Sequence, residues 1–181
     1  GETEWNAEGR VQGQTESVLS ARGVEHAKQQ YRLMAPILET NPPCIVSPLR
    51  RTRQTADIAL GGRKYEVDDR LKEVFAGEWE GQLRTDIFNN LPEGITPATP
   101  HMEFYAAAPG GEGFDAFQAR VRDFVSTLNE PTVIVAHGLS GQLLRGELCG
   151  LTRSDLGKLT NRQGCVYVIE DGVETVLELD G

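Results

Sequence analysis

Two stretches of this chain each read as a short apolar run, a small polar loop and then a helix. They restrict the possible folds more than any other feature. The first is CIVSPLRRTRQTADIAL, residues 44–60, and the second is PTVIVAHGLSGQLLRGELCG, residues 131–150. The run from Val133 to Ala136 has no polar residue, the pattern of a strand covered on both faces in a parallel sheet. Ser47 fits a helix N-cap, and Pro48 fits the first helical position, where a missing N–H leaves nothing unsatisfied.

The remaining patterns agree with that architecture. From Ser20 to Glu39, Val24, Ala27, Tyr31, Met34 and Leu38 recur at near-helical spacing. From Phe114 to Leu128, Phe114, Phe117, Val121, Phe124, Val125 and Leu128 form one apolar stripe. The final GCVYVIEDGVETVLELD reads as two strands joined by a hairpin turn at Asp171-Gly172. This order predicts an α/β fold: a three-layer α/β/α sandwich with a mostly parallel central sheet, one domain over residues 1–181. The one long irregular stretch, 91–113, is read as a substrate lid. Ligands of such folds sit beyond the carboxyl ends of the parallel strands, facing helix N-termini. Ser47-Pro48 and His137-Gly138 both fall at that edge.

Composition narrows the chemistry. A length of 181 residues suits one packed domain, and a formal charge of −9 argues against a general nucleic-acid binder. No apolar run is long enough for a membrane span. Cys44, Cys149 and Cys165 are an odd, scattered set, read as free thiols in a reducing, cytoplasmic compartment. His26, His101 and His137 lie in no metal-ligand spacing, so neither a metal nor another cofactor is expected. The sequence sets no oligomeric state.

Among the polar residues, Arg50, Arg51 and Arg53 open the helix after Ser47, and helical geometry lets only one or two of them face a crevice. His137 ends a strand and precedes Gly138, which permits close backbone approach by a ligand. VIVAHGLSGQ looks at first like the nucleophile elbow of serine hydrolases, with Ser140 as nucleophile. Gln142 stands where that motif has glycine, and no histidine follows His137 to complete the triad order. Glu73, in DDRLKEVFAGEWEG, stands alone as an ordinary loop glutamate.

Taken in order, GETEWN, SPLRRTRQTA, LKEVFAGEWEG, PGGEG and VIVAHG make the chain resemble the histidine phosphatase superfamily, also called phosphoglycerate mutase-like. The likeness runs from Gly1 to about Gly150, and five ordered motifs make it specific. The family opens with Arg-His-Gly-Glu-(Thr/Ser)-x-x-Asn, whose histidine becomes phosphorylated. The resemblance therefore implies that the nucleophilic histidine stands immediately before Gly1, at the end of a strand of about six to ten further residues. That strand is expected between the strands that end at Ser47 and His137. The resemblance further implies phosphate-binding roles for Asn6, Arg51, His137 and Gly138. It gives Glu73 and His137 catalytic roles, and it places Gln12 and Gly13 at the substrate mouth. Arg84, His101 and Tyr105 complete the expected substrate contacts. PGGEG departs from the family, which has serine after the glutamate, so Gly113 costs the next helix a side-chain cap.

These residue types suit phosphoryl transfer. A neutral imidazole attacks phosphorus, Arg51 offers a planar fork of donors, and Asn6 adds an uncharged one. His137, if protonated, is a further donor. Glu73 protonates the leaving alkoxide and then deprotonates the water that cleaves the phosphohistidine. Fixed cations take the place of a metal. No Lys or Arg occurs from Thr85 to Ala119, and Ala76 stands where the mutases have tyrosine. Both features favour a phosphatase acting on small phosphomonoesters over a mutase. The alternatives are phosphoglycerate mutase-type transfer and a non-catalytic member that binds a phosphate ligand or a protein.

Overall fold

The computed structural model describes residues 1–179. Strand β1 (Cys44–Val46) lies between β2 (Glu66–Val67) and β3 (Val133–Val135), and all three run parallel. Strand alternation divides their side chains between two cores. Cys44, Val46, Val133 and Val135 face Met34 and Leu38 of helix α2 (Ala21–Glu39) and Ala56 and Ala59 of α3 (Arg50–Ala59). Ile45 and Ile134 face Phe117, Val121 and Phe124 of α6 (Phe114–Ser126) and Leu143 of α7 (Gly138–Leu148). The sheet is thus covered on both sides, which makes the three-layer α/β/α sandwich. Short helices α1 (Glu4–Glu8), α4 (Arg84–Asn89) and α5 (His101–Ala106) surround one end of it. Among the described residues, no helix is long and apolar enough to cross a membrane.

Strands β4 (Val166–Glu170) and β5 (Val173–Leu177) form an antiparallel hairpin outside that sheet. Its turn residues Asp171 and Gly172 have φ of 51° and 76°, the mirror-image turn expected there. Arg145 of α7 ties the hairpin to the body, donating to Glu174 at 2.7 Å with its guanidinium 3.7 Å from the Tyr167 ring.

Four local expectations change. Helix α3 starts at Arg50 with Leu49 at its N-cap, not at Ser47, because the Ser47 hydroxyl bonds His137 instead. Tyr31 is exposed, not part of the α2 core face. Strand β3 is half-buried rather than enclosed. Moreover β1 and β3 pair directly, Cys44 opposite Val133 and Val46 opposite Val135, so no strand fits between them. A cavity of about 720 Å³ runs between β3 and β4, walled by Gln30 and Met34 of α2 and by Leu144 and Leu148 of α7.

Candidate active site

The same cavity opens at the carboxyl ends of β1 and β3, and there it is lined by Asn6, Gln12, Gly13, Arg51, Glu73, Arg84, His101, Tyr105, His137 and Gly138. Residues from six separate segments meet because the parallel strands end at one edge and the loops after them must pass it.

Arg51 is the centre of the arrangement. It is only 7% exposed, while Arg50 and Arg53 point to solvent. Its Nε donates to His137 Nδ1 at 3.1 Å, Nη1 to the Thr15 carbonyl at 3.0 Å and Nη2 to the Gly13 carbonyl at 2.7 Å. Five N–H groups less these three leave one on each terminal nitrogen without a partner among the described residues. His137 accepts from Arg51 through Nδ1, so its proton resides on Nε2 and is donated to Ser47 Oγ at 2.7 Å. The protein packed around the ring, and then the Arg51 charge, hold its pKa well below the usual histidine range. In this geometry the imidazole accepts from Arg51 in its neutral form and orients it.

Glu73 reaches the same point from the opposite wall. Its carboxylate accepts from the backbone N–H groups of Leu139 at 3.0 Å, Ser140 at 2.9 Å and Val74 at 3.0 Å. It therefore sits on the first turn of α7, where the helix dipole favours an anion. A Cβ on Gly138 would stand 3.7 Å from Glu73 Oε2. Asn6 forms a reciprocal cap with Thr3: its backbone N–H donates to Thr3 Oγ1, and its Oδ1 accepts from the Thr3 N–H. The Nδ2 donor of Asn6 has no partner among the described residues and borders the cavity.

The outer wall differs in character. Arg84 makes no ion pair among the described residues, and its Nε is buried without a partner. Gln12 Oε1 is buried and equally unpaired. The His101 ring meets the edge of Tyr105 at 4.8 Å between centroids. Met102, Phe104 and Tyr105 of α5 are buried, and Phe104 packs against Trp79 at 4.7 Å, so residues 101–106 are anchored to the core.

The site lies in a region that relatives share along the whole chain. The family model of the histidine phosphatase superfamily (branch 1) matches residues 1–176. This chain belongs to the histidine phosphatase superfamily. Within the superfamily it is similar to the adenosylcobalamin/alpha-ribazole phosphatase of Escherichia coli strain K12. That match is 29% identical over 177 residues, covering 94% of this chain and 86% of the relative. It is similar also to phosphoserine phosphatase 1 of Hydrogenobacter thermophilus, 32% identical over 196 residues and covering 99% and 88%. Among solved structures, a putative alpha-ribazole-5'-P phosphatase from Escherichia coli superposes with a TM-score of 0.81. It is 27% identical and covers all of this chain and 92% of that one.

Two residues in contact with the histidine phosphatase site escape sequence reasoning. Ser47 was assigned to a helix cap, yet it holds the His137 ring. Glu80 lies inside a quoted motif, and its role depends on partners 65 and 66 positions away. It accepts from the Gln14 N–H and the Thr15 hydroxyl, and so fixes the loop whose carbonyls hold Arg51. The only sequence signal for either is its place within a motif.

Proposed function

We propose that the full-length protein is a phosphatase that hydrolyses small phosphomonoesters through a phosphohistidine intermediate. The observation that carries this reading is Arg51, buried yet lining the same cavity as His137 and Glu73, with two N–H groups that have no partner among the described residues. Those donors match two oxygens of a phosphoryl group, and their neighbours already fix them, so no reorganisation accompanies charge development. Asn6 Nδ2 supplies a third donor. In the first step the nucleophilic imidazole forms an N–P bond as the P–O ester bond breaks. The electron pair leaves on the ester oxygen, and Glu73 supplies the proton it needs. In the second step Glu73 takes a proton from water, which attacks the phosphohistidine and releases inorganic phosphate.

The nucleophile is read as the residue immediately before Gly1, which lines the cavity. The gap between β3 and β4 supports a strand ahead of Gly1 at that position, where it can pair with the free edges of both. We read the substrate remainder as contacting Gln12, Gly13, Arg84, His101 and Tyr105, with residues 91–113 as the lid. The phosphatases among the relatives favour hydrolysis, and no metal enters the scheme. One observation favours a second reading. The unpaired Arg84 gives the wall a cation that suits a second anionic group, as in phosphoglycerate mutase-type transfer.

The test is a phosphomonoester screen of the full-length protein with and without vanadate, which mimics five-coordinate phosphorus. Vanadate-sensitive release of phosphate is expected, and Glu73→Gln should lower kcat by about 10²–10⁴ with little change in phosphate affinity. Efficient interconversion of 2- and 3-phosphoglycerate without phosphate release would establish the mutase instead. Inactivity on every phosphomonoester would leave the binding-protein reading.

A further inference from the structure

Arg120 of α6 does not line the cavity, yet it is the most heavily engaged cation near it. Its Nη1 donates to the carbonyls of Arg70 and Lys72, both at 2.7 Å. Its Nη2 donates to the Glu73 carbonyl at 2.9 Å and to Glu112 Oε1 at 2.7 Å, and its Nε donates to Glu112 Oε2 at 2.9 Å. All five N–H groups are therefore spent, three of them on the backbone of the loop that carries Glu73. The guanidinium also lies 4.7 Å from the Phe117 ring, which fixes its plane.

Glu112 extends the connection. Besides Arg120, its Oε1 accepts from the Phe75 N–H at 2.7 Å, and its own N–H donates to the Phe75 carbonyl at 3.1 Å. The Glu78 N–H donates to the Pro109 carbonyl at 2.9 Å. Residues 109–112, the end of the segment read as a lid, are thus bonded to residues 75–78, immediately after Glu73. Without these bonds the Glu73 backbone would keep, among the described residues, only the Gln14 Nε2 bond to its carbonyl, and its carboxylate only the three N–H groups described above; general acid catalysis tolerates little misplacement.

We propose that Arg120 is a positioning residue for proton transfer: with Glu112 it pins the loop that presents Glu73 and locks it to the base of residues 91–113. The inference rests on Glu73 being the proton donor in the proposed phosphatase reaction. In that step the P–O ester bond breaks, the ester oxygen keeps the electron pair, and the Glu73 proton moves to it. Arg120 touches neither substrate nor reacting atoms.

Substrates that differ in their need for the proton test this. In the full-length enzyme, kcat/KM is measured for phenyl phosphate, whose leaving oxygen needs a proton, and for p-nitrophenyl phosphate, whose leaving oxygen does not. Glu73→Gln serves as the reference. Arg120→Lys keeps the charge but cannot reach three carbonyls and a carboxylate together. It should lower kcat/KM for phenyl phosphate about tenfold more than for p-nitrophenyl phosphate, with inhibition by inorganic phosphate changed less than about threefold. Glu112→Gln, which keeps the acceptor for Phe75, should shift the ratio in the same direction and covers the case in which Arg120→Lys does not fold. Equal losses on both substrates in these variants, while Glu73→Gln separates them, would overturn the role of Arg120. If Glu73→Gln itself treats the two substrates alike, the reading of Glu73 is wrong, and the proposal falls with it.

Discussion

A guanidinium has five N–H donors, and two arginines around this site, Arg51 and Arg120, use them differently. Arg120 spends all five on protein, whereas Arg51, which lines the cavity, spends three and keeps two without a partner among the described residues. That difference separates a structural arginine from one able to take a ligand, and no sequence pattern encodes it. His137 gives a prediction at the same scale. Its folded-state pKa is depressed, so the native protein refuses a proton that the unfolded chain accepts near about pH 6.5. Its contribution to stability is therefore complete above that pH and declines as pH falls below it, by up to about 1.4 kcal/mol per unit. Urea denaturation between about pH 7.5 and 5.5 should show the decline, and His137→Gln should flatten it. An unchanged slope in the variant would assign the decline to other groups.

At the scale of elements, the segment that follows Glu73 and residues 109–112 are packed backbone to backbone. Gly77 has φ of 47°, and a Cβ there would stand 2.2 Å from the Pro109 carbonyl oxygen. Gly77→Ala should destabilise the protein by about 1–3 kcal/mol and separate the Glu73 segment from residues 109–112. Denaturant midpoints check the first effect, and a selective loss on phenyl phosphate checks the second. Elements with a local signal were legible in the sequence: α2 from its apolar spacing, α6 from its stripe, and the hairpin from Asp171-Gly172. The start of α3 was not, because Ser47 makes its bond to a residue 90 positions away. Motif order brought Arg51, Glu73 and His137 to notice. Glu80 and Arg120 stayed hidden because their partners lie tens of residues distant. Gly113 matches the sequence expectation, leaving α6 without a side-chain cap, and its φ of 75° is one that serine would resist.

At the scale of the whole molecule, the sandwich has both helical layers but an interrupted middle one. The free edges of β3 and β4 face a cavity whose walls are the apolar sides of α2 and α7. A strand inserted there satisfies backbone groups that are otherwise dependent on water, each worth about 1–3 kcal/mol when buried. If a strand precedes Gly1, as proposed, the protein that carries it should unfold several degrees above the chain of residues 1–181, measured by calorimetry. Equal unfolding temperatures would show that the gap is no strand position. The sequence reading expects a strand between the strands that end at Ser47 and His137, and the direct pairing of β1 with β3 leaves no room for one there.

The direct pairing of β1 with β3 also bears on the time at which the protein becomes able to act. Ser47 and Arg51 find His137 only after residues 90 and 86 positions apart in the chain have been drawn together. Contacts so far apart in sequence form late, because loop closure must precede any gain from them. On a ribosome, the arginine emerges long before the histidine that orients it. The nascent chain thus carries the Arg51 guanidinium before His137 exists to orient it, and the arrangement of the two is completed only close to the end of folding.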